Sequence, residues 1–262
     1  MAAESMVRNL AAQARAIWPQ EAPLFRRYAL PAHARILDAG CGTGEIASRL
    51  AELFPQARVL GVDIIDAHLD LARARYAAVA PRLGFENQSI FALDERDDAF
   101  DLTVCRHVLH AVPKAAEIVA ELTRVTRPGG WLHVLAEDYR MLHFQRRGTL
   151  DPSDFWHLAP QQFGSATGTD LFVGRNIFSI LARLGLCDIR VDYAIVDTSR
   201  VDRETFGSII EAWRDGYVDS IGEHTTFSRE AAAAYFNAMI DTIRDPYGYA
   251  AWMVPIASAR LP

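Results

Sequence analysis

Between Arg35 and Gly130, short apolar runs alternate with segments of helical periodicity. The strand-like runs are RILDAG, RVLGVD, LGFENQSI, FDLTVCR and GWLHVLAED. Strands that alternate with helices form a parallel sheet, covered by helices on both faces and joined by right-handed crossovers. Ligands of such sheets bind at the carboxyl ends of the strands. The pattern therefore predicts an α/β fold with a ligand site along one edge of a doubly wound sheet.

Two inserts interrupt this alternation. An irregular, aromatic-rich stretch covers about residues 138–170, and a mostly helical stretch covers about residues 201–246. The remaining sequence predicts a helix in GRNIFSILARLGL and strands in DIRVDYAIVD and GYAAWMVPIASARL. Because loops on a rigid scaffold carry specificity, we expect the inserts to form a substrate pocket that caps the active site.

The N-terminal residues have the periodicity of an amphipathic helix, with Ser5 as a candidate cap and Pro19 as a candidate stop. The chain has 262 residues, half of them apolar, which suits one elaborated α/β domain better than two independent domains. We expect a single domain over residues 1–262, with an N-terminal helical cap over about residues 1–30.

Charge and cysteine content argue against several partners. The formal net charge is -6, and Lys114 is the single lysine, so a nucleic acid or an anionic membrane would meet like charge. The cysteines, Cys41, Cys105 and Cys187, include no Cys-x-x-Cys pair and fit a reducing compartment. We expect a cytoplasmic protein without a signal segment, a monomer or homodimer, that acts on a small molecule.

The run ILDAGCGTGEIA, at residues 36–47, contains a strand-to-helix turn with Gly40, Gly42 and Gly44. Glycine tolerates positive φ and lets a ligand approach the backbone. A dinucleotide turn needs glycine or alanine where this chain has Glu45. A carboxylate at the start of the helix opposes a diphosphate, so NAD and FAD are disfavoured.

Asp63 lies nineteen residues after Gly44, at the end of the second predicted strand. A carboxylate at that position can accept hydrogen bonds from both hydroxyls of a ribose. Together with Asp38 before the turn, this spacing suits a ligand with a ribose, an amino-acid portion and a positive charge.

The segments LDAGCGTG, GVD, FDLTVCRHVLHAV and RPGGWLHV resemble the successive motifs of class I S-adenosylmethionine-dependent methyltransferases. The likeness is greatest to the small-molecule branch, with its UbiE-like and methyltransferase-domain families, and covers about residues 25–138. It implies a Rossmann-like sheet of seven mostly parallel strands in the order 3-2-1-4-5-7-6, with the last strand antiparallel.

The resemblance also implies cofactor contacts. Asp63 would hold the ribose hydroxyls, and Ile64 and Ile90 would flank the adenine. Many relatives have an acid where this chain has Ser89, so the adenine amino group would meet a hydroxyl or a backbone carbonyl. Asp38 would orient the turn or contact the ammonium group. The further implied contacts, at the turn and at the methionine end, are Gly40, Cys41, Gly42, Gly44, Cys105 and Arg106.

Methyl transfer from a sulfonium is an in-line displacement that depends mainly on holding the nucleophile roughly 3 Å from the methyl group. Side chains after the fourth and fifth strands are the candidates for a base: His107, His110, Glu137, Asp138, Tyr139 and His143. We predict His107 as the base, Asp138 and Tyr139 as further catalytic contacts, and His143 as a substrate contact. The periodicity of VLHAV is more typical of a packed residue at His110.

The second insert contains EAWRDGYVDSIGEH. Trp213 and Tyr217 share a helix face and are predicted to bind substrate together with Arg214, with His224 nearby. Packing of that helix against the fold explains the same residues equally well.

The resemblance implies a metal-independent reaction. Relatives that use magnesium carry acids near the end of the fourth strand, where this chain has Cys105 and Arg106, and no spacing adds further ligands to His107 and His110. The implied function is methyl transfer from S-adenosylmethionine to an oxygen, nitrogen or carbon of a small molecule, with S-adenosylhomocysteine as product. The alternatives are other chemistry with the same cofactor, such as decarboxylation or a pericyclic reaction, cofactor binding without catalysis, and, less favoured, a nicotinamide oxidoreductase or an interaction module.

Overall fold

The computed structural model describes residues 2–146 and 148–262. Within them the chain forms the strands β1 (Arg35–Ala39), β2 (Arg58–Asp63), β3 (Leu83–Asn87), β4 (Phe100–Arg106), β5 (Thr126–Leu135), β6 (Leu142–Phe144), β7 (Cys187–Asp197) and β8 (Ala250–Arg260). The α-helices are α1 (Ala2–Phe25), α2 (Glu45–Leu53), α3 (Asp66–Arg75), α4 (Ala115–Val125), α5 (Pro152–Thr167), α6 (Ile177–Arg183), α7 (Arg203–His224) and α8 (Arg229–Arg244).

The strands form one twisted sheet. The first five strands are parallel and lie in the order β3-β2-β1-β4-β5, and β8 pairs antiparallel with β5 and with β7. The short β6 pairs with the first residues of β8. It lies on the same side of β8 as β5, which pairs with the last residues of that strand. Without β6, the order is the predicted 3-2-1-4-5-7-6. The predicted fold class is therefore confirmed, with one short extra strand.

Helices cover both faces of the sheet, and the central strands are buried on both sides. Ile36 of β1 packs in a cluster with the end of α1 and with α2 and α3, whereas the next residue, Leu37, packs with α4 and α6. Because both faces are covered, β1 and β4 are buried along almost their whole length instead of at alternate residues. This packing fixes the carboxyl ends of the strands at one edge.

Helix α1 is longer than its sequence predicts. It continues through Pro19 and Pro23 to Phe25, so the predicted stop at Pro19 is wrong, and Ser5 lies inside the helix instead of capping it. Proline removes one helical N–H, but tertiary contacts outweigh that loss here. The Gln20 side chain donates to the carbonyl of Ile195 at 2.9 Å and accepts from its N–H at 3.0 Å.

The inserts add helices over the β5–β8 part of the sheet. The first insert, predicted as irregular, contains β6 and the 16-residue α5. Asp151 caps α5 by accepting from the Ser153 N–H at 3.0 Å, and Pro152 occupies the first turn, where no donor is needed. The second insert is the α7–α8 pair. Among the described residues, no helix combines the length and the hydrophobicity needed to cross a bilayer.

Candidate functional site

The glycine-rich loop between β1 and α2 is shaped by three left-handed residues. Gly40, Gly42 and Gly44 have φ values of 75°, 53° and 77°. A Cβ on Gly40 would lie 2.4 Å from Cγ2 of Val108, and one on Gly42 would lie 2.7 Å from Cδ1 of Leu10. Side chains are excluded here both by φ and by close neighbours, which keeps the backbone open to a ligand. We call this loop, with the adjoining ends of β1, β2 and β4, the glycine edge.

Asp63 closes the glycine edge at the end of β2. Its Oδ2 accepts a hydrogen bond of 2.8 Å from the N–H of Gly42, and its Oδ1 accepts one of 2.9 Å from the N–H of Ile65. Each carboxylate oxygen can accept a second hydrogen bond, so the side chain stays available to a pair of hydroxyls. Beside it, Ile64 is 68% exposed and offers an uncovered apolar surface.

Several buried polar atoms at the glycine edge lack a partner among the described residues: Asn9 Oδ1, Gln13 Oε1, Asp38 Oδ2, Thr43 Oγ1 and Arg106 Nη2. Asn9 and Gln13 flank the turn of α1 whose Leu10 contacts the loop. Buried polar groups in native proteins are nearly always paired. This cluster, with a guanidinium N–H and several acceptors, therefore fits a ligand that carries both a carboxylate and an ammonium group.

Burial raises the pKa of Asp38 to about 7, although the Arg106 guanidinium acts in the opposite direction. Arg106 itself is held by α1, because its Nε donates to Glu21 Oε1 at 2.8 Å. Burial alone would raise the pKa of Glu21, but Arg106 and a hydrogen bond with His133 lower it to about 2. A buried ion pair thus ties α1 to the end of β4.

The other predicted cofactor contacts lie on the walls of the glycine edge. Cys41 and Cys105 are buried, and burial raises the pKa of both thiols. Ile90 is half-buried against the core, and the Ser89 hydroxyl accepts from the Phe91 N–H at 3.3 Å. These side chains are placed to shape a pocket wall, not to ionise.

Glu45 has a different environment from the one the sequence suggests. Its carboxylate forms an ion pair with Arg75 and accepts a hydrogen bond of 3.2 Å from the Tyr76 hydroxyl. The charge that was expected to oppose a diphosphate is therefore partly neutralised. Glu45 still stands where a dinucleotide-binding turn needs glycine or alanine, so that part of the argument against NAD and FAD holds.

Beyond β4 and β5 lies a cluster of His107, His110 and Glu137, which we call the Glu137 cluster. Nδ1 of His107 contacts Glu137 Oε1, and Nδ1 of His110 lies 2.6 Å from Glu137 Oε2. Burial would raise the pKa of Glu137, but the two histidines outweigh it and lower the value. Burial lowers the pKa of His107 in spite of the carboxylate. The arrangement is a buried carboxylate that holds two imidazoles in fixed orientations.

His107 and His110 differ in position. His107 has a left-handed backbone with φ 57°, and its buried Nε2 finds no partner within the described parts of the chain. A non-glycine residue in this conformation is uncommon and often lies at a functional site. His110 lies in the wall of the adjacent cavity. In the part of the chain that is described, no group of three or more His, Cys, Asp or Glu side chains is placed to hold a metal ion.

The inserts enclose a cavity of about 760 Å³, counting its open mouth. We call it the aromatic cavity. Tyr139 stacks on Trp156 with ring centroids 5.6 Å apart and meets Trp213 edge-on, also at 5.6 Å. The cavity is lined by His110, Ala111, Tyr139, Phe155, Trp156, Ala159, Pro160, Phe163, Leu171, Trp213, Tyr217, Ile221 and Phe236.

The structure brings some of the predicted catalytic and substrate residues together and leaves others outside. Tyr139, Trp213 and Tyr217 line the aromatic cavity. Asp138 instead forms a two-point ion pair with Arg175, with both N–O distances at 2.6 Å. Its carboxylate is engaged by a structural partner, so we do not include Asp138 in the mechanism.

Two further predicted substrate contacts point away from the aromatic cavity. Arg214 binds Asp215 at 2.9 Å and the Asn237 side chain at 2.8 Å, on the surface of the α7–α8 pair. His143 is exposed on β6. His224 packs edge-on against the ring of Phe163 and so supports the cavity wall from outside.

The sequence placed Glu137 among the candidate bases without giving it a role, and it did not indicate much of the cavity wall. Glu137 lies two residues beyond the end of β5, and its place after that strand is what made it a candidate. His110 was interpreted as a packed residue, yet it lies in the cavity wall. Trp156 and Phe155 belong to α5, whose start is marked by the sequence DPSD.

Comparison with known proteins agrees with this site. Residues 36–130, which include the glycine-rich loop and Asp63, match the methyltransferase domain family. Trans-aconitate 2-methyltransferase of Variovorax paradoxus is 36% identical over 117 residues, which cover 45% of this chain and 44% of that protein. The chain thus spans less than half the length of this curated relative.

Two solved structures share the fold. Phosphoethanolamine N-methyltransferase 2 of Haemonchus contortus, in complex with S-adenosyl-L-methionine, has a TM-score of 0.58 at 20% identity, covering 94% of this chain and 53% of that chain. The [4+2]-cyclase SpnF has a TM-score of 0.56 at 23% identity, covering 95% and 85%. The fold is the Rossmann-like fold of S-adenosylmethionine-binding proteins. The matched domain, the glycine and aspartate motifs and the order of the strands all agree with it. Residues 36–130 therefore match a methyltransferase domain, and the sheet has the strand order of the class I S-adenosylmethionine-dependent methyltransferase fold.

Proposed function

We propose that this protein transfers a methyl group from S-adenosylmethionine to an oxygen, nitrogen or carbon atom of a small molecule in the aromatic cavity. The observation that carries the proposal is the short connection between the two sites. Val108 packs against Gly40 of the glycine edge, and His110, two residues later, lies in the wall of the aromatic cavity. A ligand at the glycine edge and a ligand in the cavity would therefore lie on either side of the short segment from Val108 to His110.

The residues at the glycine edge fit the cofactor in chemical type. Asp63 offers two acceptors for ribose hydroxyls, and Ile64 offers an apolar surface for the adenine. Arg106 Nη2 and Asp38 Oδ2 are buried and unpaired among the described residues, and they suit a carboxylate and an ammonium group respectively. When bound, S-adenosylmethionine supplies a methyl group that is already activated by a sulfonium.

The chain's own contribution is to position the substrate and to exclude water. The aromatic rings of the inserts enclose the substrate, and Tyr139 and Tyr217 bring hydroxyl groups near Glu137. Fixing two reactants in line is worth several orders of magnitude in rate. Each oxygen of Glu137 lies beside a histidine ring nitrogen, so the carboxylate and the two imidazoles form one charged cluster next to the cavity.

Methyl-labelled S-adenosylmethionine, incubated with the purified protein and a panel of small aromatic and aliphatic acceptors, tests the proposal. Label in an acceptor and S-adenosylhomocysteine in equal amount are the expected products. Tight binding of S-adenosylhomocysteine without label transfer to any acceptor would favour a non-methylating reaction or a purely binding role. Binding of NADH in place of S-adenosylhomocysteine would contradict the assignment of the glycine edge.

A further inference from the structure

We propose that His110 is the proton acceptor of the reaction, oriented by Glu137, and that the substrate is an uncharged aromatic compound with a phenol-type hydroxyl. This inference rests on the proposed function and adds to it a catalytic residue and a substrate class.

The first step concerns the walls of the aromatic cavity. Its thirteen lining residues include no carboxylate, ammonium or guanidinium group. A charged substrate would leave water without a fixed partner of opposite charge in the cavity lining, which is unfavourable. The rings of Tyr139, Trp156 and Trp213 instead offer stacking and edge contacts to a flat, neutral molecule.

The second step concerns which lining residue can take a proton. Burial raises the pKa of Tyr139 and of Tyr217, so both hydroxyls stay protonated near neutral pH. They can donate hydrogen bonds to a substrate oxygen but cannot act as bases. Within the lining, His110 is then the side chain with a basic nitrogen.

The third step concerns the tautomer of His110. Its Nδ1 lies 2.6 Å from Oε2 of Glu137, which stays ionised because two histidines lower its pKa. An ionised carboxylate only accepts hydrogen bonds, so its position beside Nδ1 favours the tautomer with the proton on Nδ1 and the lone pair on Nε2. His107 contacts the other carboxylate oxygen and keeps it from rotating. His107 is thus a positioning residue, in contrast to its predicted role as the base.

The chemistry balances with these groups. The substrate O–H bond breaks, and its proton goes to Nε2 of His110. An oxygen electron pair forms the bond to the methyl carbon while the carbon–sulfur bond breaks and its pair returns to sulfur. The products are the methyl ether, S-adenosylhomocysteine and a protonated His110, whose positive charge the carboxylate of Glu137 stabilises. His110 then loses the proton to solvent.

A cationic substrate is the main competitor, because the aromatic rings of the cavity, near a carboxylate, also suit a quaternary ammonium group. Both oxygens of Glu137 are already occupied by histidines, which favours the neutral phenol.

The test uses 4-nitrophenol, whose anion absorbs visible light, bound to the protein in the presence of S-adenosylhomocysteine. In the wild type, proton transfer to His110 should let the bound phenol ionise at lower pH than in solution. In His110→Gln this shift should be lost, and in Glu137→Gln it should be reduced. The groups that face His110 and could contribute to the titration are His107, Glu137, Tyr139 and Tyr217.

Turnover gives a second readout. His110→Gln should lower kcat for a phenolic acceptor about 10²- to 10⁴-fold with little change in KM, and should remove the acidic limb of the pH profile. His157→Gln, on the exposed face of α5, is the matched control and should behave as the wild type. Circular dichroism checks that each variant is folded, and His110→Asn replaces His110→Gln if the latter is not.

Each contrary outcome has a separate meaning. If S-adenosylhomocysteine fails to bind the wild type, the proposed function itself fails. If S-adenosylhomocysteine binds but 4-nitrophenol does not, or if phenyltrimethylammonium binds more tightly than 4-nitrophenol, the substrate class is wrong. An unchanged phenol titration and kcat in His110→Gln would exclude His110 as the acceptor.

Discussion

The glycine edge and the aromatic cavity bind by opposite means. The glycine edge presents backbone N–H groups, a carboxylate at Asp63 and buried polar atoms that lack partners among the described residues. The aromatic cavity presents rings, whose polar groups are the imidazole of His110, the tyrosine hydroxyls and the indole N–H groups. The glycine edge suits a ligand that makes many hydrogen bonds at fixed positions. The aromatic cavity suits a ligand whose shape fits between the rings.

This difference divides recognition between two parts of the chain. The glycine edge is built from the ends of β1, β2 and β4 and is contacted by α1, whereas the aromatic cavity is built mainly from α5 and α7. Changes in one part should then alter the binding of one ligand and spare the other.

Gly40→Ala should weaken S-adenosylhomocysteine binding at least about a hundredfold, as measured by calorimetry. The new Cβ would lie 2.4 Å from Val108 Cγ2, at a φ of 75° that costs about 1–2 kcal/mol for alanine. Gly168→Ala is the matched control, since Gly168 also has a φ of 75° but no atom within 4 Å of its Cβ position. Equal affinities in the two variants would show that the loop does not contact the cofactor.

Asp63→Ala should weaken the same binding by ~1.5–3 kcal/mol, about ten- to a hundredfold. The change removes the acceptors for the ribose and also the two backbone bonds that fix Gly42 and Ile65. Asp70→Ala, at an exposed acid of α3 that pairs with Arg73, serves as control. Wild-type affinity in Asp63→Ala would exclude the predicted ribose contact.

Phe163→Ala should weaken substrate binding by ~1 kcal/mol, about fivefold, and leave the affinity for S-adenosylhomocysteine unchanged. The ring is half-buried in the cavity wall, so a ligand covers about half of its surface, and a fully buried phenylalanine contributes about 1.5–3 kcal/mol. Phe178→Ala removes a ring that is 51% exposed on α6 and is the control. Comparable losses for both ligands would mean that the two sites are not separate.

The affinity for S-adenosylhomocysteine should rise with pH up to about 7 and then level off. Burial raises the pKa of Asp38 to about 7, so its carboxyl is protonated below that pH in the free protein. An ammonium group beside it favours the ionised form, and binding at lower pH must therefore release a proton. Calorimetry in buffers with different ionisation enthalpies measures this release, which Asp38→Asn should abolish. Proton uptake in the wild type would have the wrong sign for this role.

The glycine edge was predictable because its information is local. The three glycines and Asp38 lie within one turn, and Asp63 ends a continuous apolar run that is buried on both faces. Strand β4, predicted as FDLTVCR, extends from Phe100 to Arg106 in the structure. Such a strand can be predicted from its own sequence pattern, without knowing which segments pack against it.

The aromatic cavity and the Glu137 cluster depend on partners that are distant in sequence. Trp156 meets Trp213 across more than fifty residues, and no local pattern indicates that contact. Asp138 was predicted as catalytic from its place after β5, but Arg175, 37 residues further on, engages both of its oxygens. Position at a strand end indicates where a side chain lies, whereas its role depends on which side chains meet it.

The most direct test is a crystal structure of the protein with S-adenosylhomocysteine. We predict that the ribose hydroxyls lie within hydrogen-bond distance of both oxygens of Asp63 and that the sulfur lies at the opening between Val108 and His110. A ligand found elsewhere, or a glycine edge that stays empty at saturating concentration, would contradict the central claim that this loop holds a nucleoside thioether beside the aromatic cavity.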